Sequence, residues 1–158
     1  MTSIGPTTPV RGVMSSPFAD GALVGCGSLP HRDPAAAAAF AIGEFDIATI
    51  PSLPGRSIVE TMLGQATVGL AGLGIDASGL VAIDDRNSPG VASSDVASGA
   101  LLDTDGFAGF RAFLDLAGKI RLDGAAVKWQ FVGPVTLGVA LERAGLDRRT
   151  AFDLACAI

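Results

Sequence analysis

The sequence predicts an α/β fold, a partial TIM (β/α)8 barrel of about three βα units with an inserted hairpin or long loop. Three observations predict it. Short apolar runs alternate with helical patterns along the chain, which implies parallel strands joined by crossover helices. The third run carries a polar face, Lys128 and Gln130, which suits a barrel lumen near its mouth better than a helix-covered sheet. The chain has 158 residues, against the ~250 of a full barrel.

Residues 1–20 are rich in Ser, Thr, Pro and Gly and read as a flexible tail, leaving residues 21–158 as the barrel part. The run Ala22-Leu23-Val24-Gly25-Cys26 suits a buried strand. Asp33 before Pro34 is a helix start, a carboxylate at the cap and proline in the first turn. The Ala-rich helix that follows can lie close against a sheet. Ile47-Ala48-Thr49-Ile50 reads as the second strand, stopped by Pro51 and Pro54. Ser57 and Glu60 have capping-box spacing, and Ile58, Met62, Ala66 and Leu70 recur every four residues, so a helix is expected to about Leu70. Leu80-Val81-Ala82-Ile83 then reads as a strand that turns at 85–90 and returns over 91–96 as a hairpin, or opens a long loop. Asp105 is placed to cap a helix with Phe107, Phe110, Phe113 and Leu114 on one face, ended by Gly118. Val127, Trp129 and Phe131 alternate with Lys128 and Gln130, which is strand periodicity. Helices are expected over 137–144 and after Asp147.

Composition bounds the function. Hydrophobic residues make up 49% and charged residues 17%, a core-forming balance. Eleven Lys+Arg against 16 Asp+Glu give a net charge of −5, so no basic stripe is available for nucleic acid or an anionic membrane surface. No run approaches the ~20 apolar residues of a membrane span. The cysteines, Cys26 and Cys156, form no CxxC pair and no disulfide framework. With no signal-peptide pattern, a cytoplasmic location is expected.

Barrel chemistry sits at the carboxyl ends of strands, here residues 27–33, 51–57 and 130–136. In the first segment Gly27 and Ser28 offer close backbone approach and free N–H groups for a carboxylate, or simply form a tight strand-to-helix turn. His31 is a weak catalytic candidate; a lone histidine in a loop is more often solvated. Arg56 in the second segment has the planar fork that binds a carboxylate, or is an exposed loop residue. In the third, Lys128 and Gln130 face the presumed lumen, while Trp129 is expected in the core. Cys26, flanked by apolar residues, reads as a buried thiol. Cys26, His31 and Cys156 match no zinc-ligand spacing, so no metal site is expected.

Three motifs recur in order: Gly27-Ser28-Leu29-Pro30-His31, Ile50-Pro51-Ser52-Leu53-Pro54-Gly55-Arg56, and Lys128-Trp129-Gln130-Phe131-Val132-Gly133-Pro134-Val135-Thr136. Together they resemble the superfamily of cobalamin-independent methionine synthase and uroporphyrinogen decarboxylase, especially short methionine-synthase-like members. The resemblance covers about residues 23–158. It implies a TIM barrel of about twice this length and methyl transfer from a methylated folate to a thiol such as homocysteine. It implies a zinc ion that makes the thiol a nucleophile, held by residues beyond Ile158. This chain is then expected to carry no cofactor and to be inactive alone. The resemblance places the homocysteine carboxylate at Gly27 and Ser28. Leu53 stands where the synthase has a Glu that binds the substrate amino group. The alternatives are a uroporphyrinogen-decarboxylase-like part relying on Arg32 and Arg56, or a non-catalytic half-barrel. Self-association through the open barrel edge is the macromolecular partner expected.

Overall fold

The computed structural model describes residues 20–84, 90–91, 100–120 and 126–157. The tail expected over 1–20 and the return strand expected over 91–96 lie almost entirely outside these residues.

Helix α1 (Pro34–Gly43) starts as the sequence dictates. Asp33 caps it, its Oδ1 accepting from the Ala35 amide at 2.9 Å, with Pro34 in the first turn. Its buried face is Ala37, Ala38 and Ala41, and these small side chains let α3 (Ala108–Ile120) lie close against it. Strand β1 (Ala48–Thr49) pairs in parallel with β6 (Val127–Lys128), in register Ala48 to Val127 and Thr49 to Lys128. The 22–28 segment joins the opposite edge of β1 through parallel bridges, Val24 to Ile47 and Ser28 to Ser52. Three extended segments therefore lie in parallel in sequence order. The first core, Leu29, Leu53 and Phe113 with the α1 alanines, packs beside them.

The chain departs from expectation after the second strand. Residues Ile58–Glu60 form a single 3-10 turn, and α2 (Met62–Thr67) is short. The capping box does not form. Ser57 makes no cap hydrogen bond, and Thr61 caps α2 instead, accepting from the Gly64 amide at 3.1 Å. Glu60 is recruited elsewhere: its Oε2 accepts from the Leu53 amide at 3.0 Å. Leu70 is not helical but belongs to β2 (Leu70–Ala71), which pairs antiparallel with β5 (Gly90–Val91). A hairpin does follow, one strand earlier than its expected position. β3 (Leu73–Ile75) pairs antiparallel with β4 (Val81–Ile83). Asp76 shapes its turn, accepting from the Ser78 and Leu80 amides.

Helix α3 is preceded by a 3-10 turn at Asp105–Phe107 and runs through Gly118 to Ile120. A glycine near a helix end costs only ~1 kcal/mol relative to alanine, too little to stop a helix held by Phe110 and Phe113. Helix α4 (Pro134–Arg143) begins earlier than expected, with Pro134 in its first turn. Asp147 begins α5 (Arg148–Ala157), accepting from the Thr150 amide at 3.1 Å. α4 and α5 pack together around Leu137, Leu141, Ala151 and Ala155, a second core that also receives Val81 and Val132.

The architecture is thus mixed α/β. The described residues form small two-stranded sheets and do not close a barrel. Among them no helix is long and apolar enough to cross a membrane.

Candidate functional site

The carboxyl ends of the three parallel segments converge on a recess. Its lining includes Gly27 and Ser28 from the first segment, Ser52 from the second, and Trp129 and Gln130 from the third. The enclosed space is about 10 Å³, room for one water-sized group.

Local structure makes this convergence. Gly27 has φ +101°, a left-handed conformation that an L side chain adopts only at a cost. A Cβ there would make only ordinary contact with the Ile50 carbonyl at 3.4 Å and the Thr49 methyl at 3.5 Å, so the backbone conformation is what calls for glycine. The turn fixes the strands against each other. The Ser52 amide donates to the Gly27 carbonyl at 2.9 Å, and the Leu29 amide to the Ser52 carbonyl at 3.0 Å. Ser28 and Ser52 hydroxyls lie 3.3 Å apart. No hydrogen bond among the described residues uses the Gly27 or Ser28 amide.

Lys128 sits one contact behind the recess. Its Nζ donates to the Gly25 carbonyl at 2.8 Å and to Gln130 Oε1 at 3.4 Å. Both of these partners are oxygens that carry no full charge. Among the described residues no carboxylate pairs with it.

Two candidates lie elsewhere. Arg56 is engaged, its guanidinium donating to Glu60 at 2.8 Å and to Asp105 at 2.5 Å. The Asp105 hydrogen bond foremost raises the Arg56 pKa, and the same contact, with the Ser57 hydroxyl, holds the Asp105 carboxyl below its usual range. Glu60 is fully buried, and burial pushes its carboxyl up despite amide donors from Gly109 and Leu53. This cluster ties the loop after the second strand to the start of α3. Gly109 is required at that junction, since a Cβ would lie 2.5 Å from the Pro51 carbonyl oxygen. His31 turns away from the recess onto α1, its ring 5.1 Å from Phe40. The proline-led turn after Leu29 carries it there.

Two expectations about neighbours are corrected. Cys26 is exposed and lines the recess, because its strand contributes isolated bridges rather than a buried ladder. Trp129 is half exposed, its ring tilted against Phe110 at 5.2 Å and lining the recess, because its strand is an edge rather than a central one among the described residues.

Sequence reasoning missed Met62 and Gln65, which α2 brings to the recess. Gln65 is buried, its Nε2 donating to the Gly106 carbonyl at 2.9 Å. A glutamine inside the otherwise small and apolar Met62–Thr67 helix was the available signal. A larger recess of about 600 Å³ lies between the β3–β4 hairpin and α4, lined mainly by Leu63, Leu80, Val135 and Val139. It holds none of the candidate residues.

The chain matches no known family model, no curated protein and no solved structure. Among the described residues no three His, Cys, Asp or Glu side chains gather as a metal site.

Proposed function

We propose that the chain is the N-terminal part of a barrel and binds the carboxylate end of a small thiol amino acid such as homocysteine. It would thus form the acceptor-binding part of a methionine-synthase-like methyltransferase. One observation carries this reading. Gly27 and Ser28, whose amides are unpaired, line one recess with Ser52, the two hydroxyls 3.3 Å apart, with the ammonium of Lys128 close behind and no carboxylate on it. Free N–H groups and an adjacent cation are what a carboxylate needs on leaving water. One carboxylate oxygen enters the recess while the rest of the ligand lies at its open mouth. Leu53 is fully buried, so it sets no side chain against the ligand amine. The described residues therefore bind and orient, and activation of the thiol belongs to other groups. The decarboxylase-like alternative is disfavoured because Arg56 is committed to Glu60 and Asp105.

Calorimetric titration of the chain with L-homocysteine and with its decarboxylated analogue, 3-aminopropanethiol, tests the reading. Homocysteine should bind and the analogue should bind at least ~10-fold more weakly, the worth of one charge-assisted contact. Lys128→Met should remove most of that difference. Equal binding of the two compounds, or no binding by the folded chain, refutes the proposal.

A further inference from the structure

We propose that the free edge of the segment 126–132, which begins with β6 and carries the strand alternation from Val127 to Phe131, is the contact between two copies of this chain, paired antiparallel about a two-fold axis at Trp129. It does not depend on the carboxylate site, and a fourth barrel strand would compete with it for the same edge. One edge of this strand is occupied by β1, and the Lys128 carbonyl accepts from the Ile50 amide at 2.9 Å. Beyond Lys128 the backbone is unpaired: among the described residues no hydrogen bond uses the main chain of Trp129, Gln130, Phe131 or Val132. Such an edge is a template for strand addition.

The side chains of one face are apolar and open to solvent, with Val127 at 42%, Trp129 at 48% and Phe131 at 43% exposure. Trp129 lies 5.2 Å from Phe110 and 6.0 Å from Phe131, so the rings form one patch. Leu114, one turn after Phe110 and also exposed, extends it onto α3.

The occupant follows from the order of residues. A two-fold axis pairs a strand with its own copy antiparallel, each contact occurring twice. With the axis at Trp129, Val127 meets the partner's Phe131 and Trp129 meets the partner's Trp129. Lys128 meets the partner's Gln130. Apolar faces apolar, and the single charge faces an amide. Moving the axis to Lys128 sets two ammonium groups opposite each other, which is destabilising. Moving it to Gln130 sets Lys128 against the partner's Val132. The strand is self-complementary in one register.

Sedimentation velocity on the full chain tests this with two variants. Val127 and Phe131 do not line the recess. They sit ~13 Å apart along one strand, so charges placed on them meet only across the axis. Wild type should be a dimer at tens of micromolar. Phe131→Lys should raise the dissociation constant at least ~10-fold by setting a charge on an apolar contact. The double variant Val127→Glu/Phe131→Lys should recover most of the loss. Amide exchange of residues 129–132 in wild type should slow as protein concentration rises, a reading that needs no variant to fold. A wild type that stays monomeric or grows beyond a dimer overturns the proposal. So does undiminished dimerisation of Phe131→Lys, a double variant no better than the single one, or exchange independent of concentration.

Discussion

Replacing Glu60 with alanine should destabilise the chain by ~3 kcal/mol, and replacing it with glutamine by ~1 kcal/mol. The carboxylate is fully buried and serves three donors, the Leu53 amide at 3.0 Å, the Gly109 amide at 3.4 Å and Arg56 Nη1 at 2.8 Å. Alanine leaves both amides buried without a partner. An orphaned buried donor costs ~1–3 kcal/mol, so the well-formed Leu53 bond accounts for ~2 and the long Gly109 bond for ~1. Arg56, with its side chain 27% exposed, keeps Asp105 and adds under ~1 kcal/mol after solvent screening. Glutamine fills the same volume: its one oxygen in the Oε2 place keeps both amides, and its NH2 in the Oε1 place faces Arg56 Nη1, a donor against a donor. Urea unfolding followed by the fluorescence of Trp129, the single tryptophan, reads the effect. With an m-value of ~2 kcal/mol/M, the midpoints should fall by ~1.5 M for alanine and ~0.5 M for glutamine. Burial raises the Glu60 pKa above 4.5. A raised folded-state pKa contributes stability that is full below the unfolded value and is lost as pH rises through the folded one. The margin of wild type over Glu60→Gln should therefore widen on acidification through that raised value and narrow above it. An alanine variant within ~0.5 kcal/mol of wild type would refute the account, as would a glutamine variant as costly as the alanine one.

Asp105 should behave oppositely with pH. Its folded pKa is lowered by Arg56 and Ser57, so its contribution is present above the unfolded value near 3.8 and is lost as pH falls through the folded one. Its side chain is 60% exposed, so Asp105→Asn should cost under ~1 kcal/mol at neutral pH, and thermal melts of the two proteins should converge in strong acid. Gly27→Ala forces a side chain into a φ of +101° and should cost ~1–2 kcal/mol in urea unfolding; an unchanged midpoint would show that the turn relaxes freely.

The legible parts of this fold were those written in local chemistry. Asp33 with Pro34 specified the start of α1, and Asp147 that of α5, because a cap and its helix are neighbours in sequence. The alternation from Val127 to Phe131 marked an extended segment, and Gly27, Ser28 and Gln130 do meet at one recess. What misled was the same local chemistry overruled from a distance. Ser57 and Glu60 are spaced for a capping box, yet Glu60 answers amides at Leu53 and Gly109, and Ser57 answers Asp105 at 3.0 Å. Arg56 read as a free ligand-binding fork because nothing nearby in sequence announces Asp105 as its partner. Periodicity from Ile58 to Leu70 ignored the backbone of Gly69 and Gly72, both at positive φ, which turns the chain into strands. Trp129 counted as core because alternation reveals which residues share a face, not whether anything covers it.

The parallel alignment of the three segments also sets the order of assembly. The β3–β4 hairpin closes between Ile75 and Val81, a local event on a scale of ~1–10 μs. The pairing of Ala48 with Val127 joins residues from the first and last thirds of the chain, so its loop must close before any contact offsets the lost entropy. Gln130 reaches Gly27 only through that closure. The recess is therefore absent from early folding species that already hold the hairpin and helices. A nascent chain should acquire the recess in one late step, well after its secondary structure is in place.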